Sequence, residues 1–228
     1  MDAFPFSRTE TLLGSAALDR LQHSHVAVVG LGGVGSYAAE ALARTGVGRL
    51  TLIDRDTVDV TNCNRQLCAL SSTVGQYKAD VMAARLRDAA PSAEICGLRL
   101  FYLPETREEL FSRQPDLIVD CVDNVTAKLD MIETAYQRGI PLLCALGTAK
   151  KVDPTRLRFC DIYETEGDPL ARVMRRELRK RGVPRQRVIC SDEPPRIDGA
   201  TLGSIAWVPG CAGLMLAGEA VRLLTQGV

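Results

Sequence analysis

The stretch Val26-Ala-Val-Val29-Gly30-Leu-Gly32-Gly33-Val-Gly35 decides the fold of this chain. Its apolar start predicts a buried parallel strand, and the residues that follow, 36–44, are rich in helix formers. Glycines at such a strand-to-helix turn let a phosphate group approach the free amides at the helix start. The stretch therefore predicts a nucleotide site in an α/β fold, with these glycines in the turn: Gly30, Gly32, Gly33 and Gly35.

A second strand, predicted over residues 50–53, ends at Asp54. An acidic side chain at this position typically accepts hydrogen bonds from ribose hydroxyls. The glycine turn and this acid are equally typical of dinucleotide sites. A nicotinamide-dependent dehydrogenase or a nucleotide sensor therefore stays open on these two features alone.

The loop after Asp54 favours a phosphate site over a site for a redox ring. A nicotinamide needs an apolar slot, whereas this loop supplies polar groups and a cation: Asp56, Asn62, Asn64, Arg65 and Gln66. A guanidinium grips phosphate oxygens in a bidentate fork and becomes more useful as charge builds on a pyrophosphate leaving group. Lys78 begins a helix predicted to end near residue 90. By residue type alone Lys78 is a solvated helix lysine, but its position just after the Arg65 loop favours a phosphate contact.

Asp123 and Asn124 follow a third apolar strand and precede a helix predicted to end near residue 138. Ligands of open α/β sheets bind beyond the carboxyl ends of the strands, which places Asp123 beside the phosphates. Magnesium prefers one or two carboxylates together with phosphate oxygens, so Asp123 is the predicted metal ligand. Asp123 could instead cap the following helix, and the two roles are compatible.

Taken together, these motifs resemble the adenylating superfamily of ubiquitin-activating enzymes, MoeB and ThiF, over about residues 8–224. The resemblance implies that the chain binds ATP and Mg²⁺ and converts a carboxylate into an acyl adenylate, with release of pyrophosphate. It assigns the ribose to Asp54, the phosphates to Arg65 and Lys78, and the magnesium to Asp123. Arg8 resembles an N-terminal arginine that reaches the partner's phosphates across a dimer, so the resemblance also implies a homodimer with shared active sites.

Eight cysteines are scattered singly along the chain, and no two stand in CxxC spacing. Because members of the superfamily often hold structural zinc with two CxxC pairs, we expect no structural zinc here. Some members use a cysteine in a mobile crossover loop to accept the activated acyl group, and Cys190 is the candidate. Asp192 and Glu193 would oppose thiolate formation there, although nearby arginines would favour it, so a catalytic thiol is the less favoured interpretation.

Two stretches are similar to one branch of the superfamily, the tRNA threonylcarbamoyladenosine dehydratases. One is the loop 61–66, and the other is a helix that Asp168 and Pro169 should begin and Gly182 should end. Its apolar positions at helical spacing are expected to pack inward: Leu170, Val173, Met174 and Leu178.

Residues 170–187 hold eight basic residues against the single acid Glu177, in a chain whose formal net charge is zero. An arginine-rich helix face is usually a solvated surface, but basic clusters also neutralise nucleic-acid phosphates. With the resemblance, we expect a tRNA contact formed by Arg172, Arg175, Arg176, Arg179, Lys180 and Arg181.

The branch implies an ATP-dependent cyclisation, with net loss of water, of threonylcarbamoyladenosine in tRNA. It also suggests a sulfur-relay protein as a partner. An alternative is an activator of a ubiquitin-like sulfur carrier, which the missing CxxC pairs and the basic helix disfavour. A more remote alternative, an NAD-dependent dehydrogenase, leaves Arg65, Lys78 and Asp123 without a role.

Strand and helix alternate as far as Gly147. This order predicts a Rossmann-like sheet, parallel in its N-terminal part, with antiparallel C-terminal strands and helices on both faces. Residues 156–163 alternate like a half-buried strand, and residues 181–200 are typical of a flexible loop. We expect one domain over 1–228, with a nucleotide-binding part (1–150), a crossover and tRNA-contact part (151–200), and a C-terminal strand and helix (201–228).

The bulk properties favour a cytoplasmic protein that does not enter a membrane. The N-terminus lacks the apolar core of a secretory signal, and no apolar run approaches the length of a membrane span. Residues 210–217 are expected in a packed C-terminal helix, and unpaired cysteines fit the cytosol.

Overall fold

The computed structural model describes residues 5–199 and 203–226. Its strands are β1 (His25–Val29), β2 (Arg49–Ile53), β3 (Glu94–Leu98), β4 (Leu117–Asp120), β5 (Leu142–Ala145), β6 (Leu157–Asp161) and β7 (Arg187–Ser191). Its helices are α1 (Ser7–Leu13), α2 (Ser15–Gln22), α3 (Gly35–Thr45), α4 (Lys78–Ala89), α5 (Glu108–Phe111), α6 (Val125–Arg138), α7 (Pro169–Lys180) and α8 (Trp207–Leu224).

The strands form one seven-stranded sheet in the order β3-β2-β1-β4-β5-β7-β6. Strands β1 to β5 pair in parallel, β7 pairs in parallel with β5, and β6 alone pairs antiparallel, with β7. This arrangement confirms the predicted Rossmann-like sheet with a parallel N-terminal part and an antiparallel C-terminal pair. The chain winds outward from β1 in both directions, so β1 and β4 flank the topological switch point at which ligands bind in such sheets.

Two apolar clusters cover the opposite faces of the sheet. Val26 and Val28 of β1 belong to one cluster, and the alternate residues Ala27 and Val29 belong to the other. The first cluster includes residues of α3, α4 and α8, and the second includes residues of α6 and α7. Because strand side chains alternate between faces, a continuous apolar run such as 26–29 is what a strand covered on both sides requires.

Helix α8 is an 18-residue apolar helix that packs against α3. A side chain at Gly213 would place its Cβ 2.3 Å from the carbonyl oxygen of Val34, so only glycine allows this close approach. By length and mean hydropathy α8 could cross a membrane, but 61% of it is buried within the protein, as in the core helix of a soluble fold. Its acid Glu219 is also buried and paired with Arg222 at 2.7 Å. These contacts agree with the packed C-terminal helix that the sequence predicts.

The structure corrects three local predictions. The loop predicted over residues 181–200 contains β7, because the apolar run Val188-Ile189-Cys190 is buried between β5 and β6 despite the polar residues around it. Residues 203–206 form no strand, and the C-terminal part that the structure describes is helical from Trp207. Val173 lies on the exposed side of α7, whose buried residues are Ala171, Met174 and Leu178.

Candidate nucleotide-binding site

A cavity of about 520 Å³ lies beyond the carboxyl ends of β1, β2 and β4. It thus occupies the switch point of the sheet. Most of the predicted site residues line it: Gly30, Gly32, Gly33, Asp54, Asp56, Asn62, Arg65, Gln66, Lys78, Asp123 and Asn124. The fold therefore brings motifs up to 94 residues apart in sequence (Gly30 to Asn124) to one cavity.

The glycine turn is tight because backbone approaches backbone on its inner side. Gly30 has φ +87°, and a Cβ there would lie 2.7 Å from the carbonyl oxygen of Cys121. A Cβ at Gly35 would lie 1.8 Å from the carbonyl oxygen of Gly30. Around Gly32, by contrast, the atom nearest to such a Cβ is Nε2 of Gln66 at 3.9 Å, so the backbone at Gly32 stays open on its cavity side. This is the geometry that a phosphate needs to reach the start of α3.

Asp54 holds two backbone segments of the site together. Its Oδ2 accepts a hydrogen bond from the amide of Leu31 at 2.7 Å, and its Oδ1 accepts one from the amide of Asp56 at 2.8 Å. Burial raises the pKa of Asp54, although these amides and the charge of Lys78 oppose the shift. Each carboxylate oxygen keeps a lone pair, so Asp54 can still accept ribose hydroxyls.

The two cations predicted to contact phosphate both line the cavity, from different elements. Lys78, the first residue of α4, is buried, and its Nζ lies 3.4 Å from Oδ2 of Asp56. Arg65 donates from Nη1 to the carbonyl oxygen of Thr61 and to Oδ1 of Asn64, both at 2.9 Å. These contacts orient both cations before any ligand binds.

A short turn positions the loop that carries Arg65. The carboxylate of Asp59 accepts from the amide of Thr61 at 2.8 Å, and Oδ1 of Asn62 accepts from the amide of Asp59 at 3.2 Å. Asn62 and Gln66 are buried. Both therefore stabilise the conformation of the loop and also line the cavity.

The two roles considered for Asp123, metal ligand and helix cap, fall to two neighbouring residues, Asp123 and Asn124. Asn124 is the N-cap of α6, and its Oδ1 accepts from the amide of Ala127 at 2.9 Å. Asp123 is exposed to the cavity and has no hydrogen bond or ion pair among the residues that the structure describes. Its carboxylate is therefore free to take a cation.

Three predicted residues do not line the cavity. Gly35 lies behind the turn, where it permits the close approach to Gly30. Asn64 points away, and its Nδ2 donates to the carbonyl oxygen of Ser204 at 3.0 Å. Arg8 is exposed on α1, outside the residues that line the cavity of its own chain.

In comparison with known proteins, a model of the ThiF family matches residues 6–227 of this chain. The chain belongs to the ThiF family. Similar family members include the tRNA threonylcarbamoyladenosine dehydratase of Bacillus subtilis, 44% identical over 98% of this chain and 95% of the relative. The Escherichia coli protein of the same name is 41% identical over 76% of this chain and 65% of the relative.

Solved structures show the same fold. The structure of E. coli TcdA in complex with ATP has a TM-score of 0.91 and 35% identity, and covers 96% of this chain and 93% of that chain. The structure of E. coli MccB with ATP has a TM-score of 0.69 at 17% identity, which shows a shared fold alone.

The sequence-based prediction missed part of the lining of this ThiF-family site. The overlooked residues include Arg55, Leu100, Phe101, Tyr102 and Val122. Leu100, Phe101 and Tyr102 follow β3, which pairs with β2, so they reach the same edge of the sheet as Asp54. These three residues could be predicted from the sequence only if β3 were already known to lie beside β2.

Cys190 does not occupy the crossover-loop position that a catalytic thiol of the superfamily would need. It is a buried residue of β7, and its Sγ lies 3.3 Å from Sγ of Cys160. Burial, followed by the contact with Cys160, raises the pKa of Cys190 to about 12. A neutral, buried thiol is a poor nucleophile, so the less favoured interpretation finds no structural support.

The basic residues of α7 are not equivalent. Asp168 caps the helix through the amides of Leu170 and Ala171, as predicted. Arg175 turns inward and donates to the carbonyl oxygen of Thr165 at 2.7 Å. Arg176 and Lys180 both pair with Glu177, and Arg181 pairs with Glu133.

The two remaining arginines of the helix are the more available ones. Arg179 lies 4.9 Å above the ring of Tyr163, and Arg172 is exposed with no side-chain partner among the described residues. Five of the six residues predicted to contact tRNA thus lie on the surface, alone or in exposed pairs. The sixth, Arg175, instead holds a hydrogen bond within the protein.

Proposed function

We propose that this ThiF-family protein uses ATP to dehydrate threonylcarbamoyladenosine in tRNA through an acyl adenylate. The observation that carries the proposal is the convergence of Arg65, Lys78 and the unpartnered Asp123 around the glycine turn in one cavity. The substrate follows from the 44% identity with the B. subtilis dehydratase along nearly the whole of both chains.

The proposed chemistry has two steps. A carboxylate oxygen of the threonylcarbamoyl group attacks the α-phosphorus of ATP, and pyrophosphate leaves. A nitrogen or oxygen of the same side chain then attacks the activated acyl carbon, AMP leaves, and a ring closes with net loss of one water. Because the second attack is intramolecular, it benefits from a high effective concentration and requires no covalent enzyme intermediate.

The protein contributes charge and position to this reaction. Arg65 and Lys78 stabilise the charge that develops on the departing pyrophosphate. Their preset contacts with Asn64 and Asp56 reduce the reorganisation that this requires. Asp54 fixes the ribose, and the amides of the glycine turn receive a phosphate.

A magnesium ion fits the residues present. The free, cavity-facing carboxylate of Asp123 is the type of single ligand that Mg²⁺ combines with phosphate oxygens and water. When bound there, the ion would neutralise phosphate charge that Arg65 and Lys78 alone leave uncompensated.

The tRNA would contact α7. Arg172 and Arg179 are the best placed of its basic residues, because neither is held in an ion pair among the described residues. Arginine suits this role since its planar fork matches phosphate oxygens.

The protein would act as a homodimer in the cytoplasm. Arg8 supports the dimer: it is exposed, lies outside the cavity of its own chain, and is therefore available to a partner's site. A sulfur-relay partner stays a prediction from the family resemblance.

Mass spectrometry tests the proposal directly. Transfer RNA that carries threonylcarbamoyladenosine is incubated with the protein, ATP and Mg²⁺, and its nucleosides are analysed. We expect the modified nucleoside to lose the mass of one water with the wild-type protein and not with Arg65→Ala. No mass change with protein that binds ATP would contradict the tRNA proposal. It would favour the alternative, an activator of a ubiquitin-like sulfur carrier.

A further inference from the structure

The guanidinium of Arg55 lies over the ring of Phe101 at the rim of the nucleotide cavity. Its guanidinium carbon lies 3.7 Å from the centroid of the Phe101 ring. Both residues line the cavity, and 58% of the Arg55 side chain is exposed. The guanidinium face that is turned away from Phe101 is therefore open to a ligand.

The order of the strands indicates which part of a nucleotide reaches this stack. Strands β1, β2 and β3 lie side by side, and they are followed by the glycine turn, by Asp54 and by the segment with Phe101, respectively. Phosphates at the turn and a ribose at Asp54 leave the base on the β3 side, since neighbouring strands are about 4.8 Å apart. A base bound in this direction would lie beside Arg55 and Phe101.

The charges around Arg55 favour stacking over phosphate binding. Nε of Arg55 lies 3.6 Å from Oδ1 of Asp56, and the same carboxylate lies 3.4 Å from Nζ of Lys78. Asp56 thus partly neutralises Arg55, whose guanidinium lies over Phe101 on the β3 side of the cavity. What Arg55 offers a ligand is a flat, weakly hydrated surface, and such guanidinium planes stack on nucleobases.

We propose that Arg55, held against the ring of Phe101, is the platform on which the adenine of ATP stacks, and that this contact sets the affinity of the site for a nucleotide over a bare polyphosphate. The inference rests on the proposed function only in taking ATP as the nucleotide. It requires no tRNA, so the two can fail separately.

Isothermal titration calorimetry of the protein with ATP and with inorganic tripolyphosphate tests this role. The variants are Arg55→Ala, which removes the platform, and Arg55→Lys, which keeps the charge but not the plane. The matched control is Arg99→Ala. Arg99 also stacks on an aromatic ring, that of Tyr77 at 4.3 Å, pairs with Asp80 and has a 57% exposed side chain, but it does not line the cavity.

We expect Arg55→Ala to weaken ATP binding about tenfold, a typical loss for one base stack, and to leave tripolyphosphate binding within about twofold. Arg55→Lys should lose nearly as much ATP affinity as Arg55→Ala, and Arg99→Ala should resemble the wild type. Equal weakening of both ligands, or full rescue by lysine, would overturn the stacking role, because either result assigns the contact to charge. Unchanged ATP affinity in Arg55→Ala would overturn it as well.

A failure of the proposed function would look different. If the variants behave as expected while the wild-type protein leaves threonylcarbamoyladenosine unchanged, the adenine platform stands and the tRNA substrate does not. If wild-type protein binds no ATP, both proposals are overturned.

Discussion

Nζ of Lys128 lies 2.9 Å from Oδ2 of Asp120, and both side chains are almost completely buried beneath the nucleotide cavity. The ammonium also donates to the carbonyl oxygen of Ala145 at 2.8 Å, and Oδ1 of Asp120 accepts from the amide of Val122 at 3.1 Å. Burial acts to lower the pKa of Lys128, but the charge of Asp120, its hydrogen bond and the nearby thiols of Cys144 and Cys121 together outweigh burial, and the net shift is upward. The pair thus ties the ends of β4 and β5 to the segment that leads to Asp123.

Removal of this lysine should strongly destabilise the protein. Lys128→Met leaves the Asp120 carboxylate buried without its counter-charge, and we expect a loss of about 3–5 kcal/mol in the free energy of unfolding, measured with urea. The double variant Asp120→Asn/Lys128→Met should be more stable than Lys128→Met, because it removes the charge and keeps an acceptor for Val122.

Lys180→Met is the control for this prediction. Lys180 pairs with Glu177 at 3.0 Å, but its side chain is 63% exposed. A surface pair contributes less than about 1 kcal/mol, so the loss should be small. Equal losses in Lys128→Met and Lys180→Met would contradict a structural role for the buried pair.

The buried pair also marks the limit of sequence-based prediction for this chain. The glycine turn, Asp54 and the Arg65 loop could be predicted because each follows a strand at a fixed offset and carries local chemistry. Lys128 and Asp120 could not be paired in this way, because their contact depends on how α6 packs over β4 and β5. Strand β7 was missed for a related reason. Its apolar residues are buried because it pairs with β5 and β6, whereas the polar residues on either side of it are typical of a loop.

Substitution of Asp123 should change the magnesium requirement of the reaction, whereas substitution of its neighbour Asn124 should change the stability of the protein. Asp123→Asn should leave the free energy of unfolding nearly unchanged, because the carboxylate has no partner among the described residues. We expect it to raise the Mg²⁺ concentration needed for half-maximal activity, measured by magnesium titration of the tRNA reaction.

The neighbouring variant Asn124→Ala provides the contrast. It removes the N-cap of α6 and should cost about 1 kcal/mol in urea unfolding. If Asp123→Asn instead destabilised the protein and left the magnesium requirement unchanged, Asp123 would be a structural residue.

His25 should make the protein less stable in mild acid. Its imidazole is buried, with Nε2 2.8 Å from Oγ1 of Thr51, and burial followed by the charge of Arg49 lowers its pKa. As the pH falls below about 6.5, the unfolded chain binds a proton that the folded protein resists, so the free energy of unfolding falls with pH. Urea unfolding between about pH 5 and pH 7 measures this slope.

The variant His25→Gln should flatten that slope. The matched control is His23→Gln, which removes the other histidine of the chain, an exposed side chain on the surface, and should keep the wild-type slope. An unchanged slope in His25→Gln would assign the acid sensitivity to other groups.

Arg172 should contribute to tRNA binding without a contribution to the fold. Arg172→Ala should weaken tRNA binding and reduce the slope of log affinity against log salt by about one, as expected for the loss of one phosphate contact. Filter binding at several salt concentrations measures both quantities. Arg20→Ala, an exposed arginine of α2 outside the basic cluster, should leave them unchanged. Equal effects of the two variants would indicate a nonspecific loss of positive charge.

Arg8 and Arg65 should complement each other across a dimer. Arg8→Ala and Arg65→Ala should each be nearly inactive alone, because one removes the cation supplied to the partner and the other removes a cation of the cavity in its own chain. After equal mixing and subunit exchange, half of the dimers are mixed, and each mixed dimer holds one site with both arginines intact. We therefore expect about one quarter of the wild-type rate. A mixture that stays as inactive as its components, while native mass spectrometry shows mixed dimers, would place Arg8 at the site of its own chain or outside the reaction.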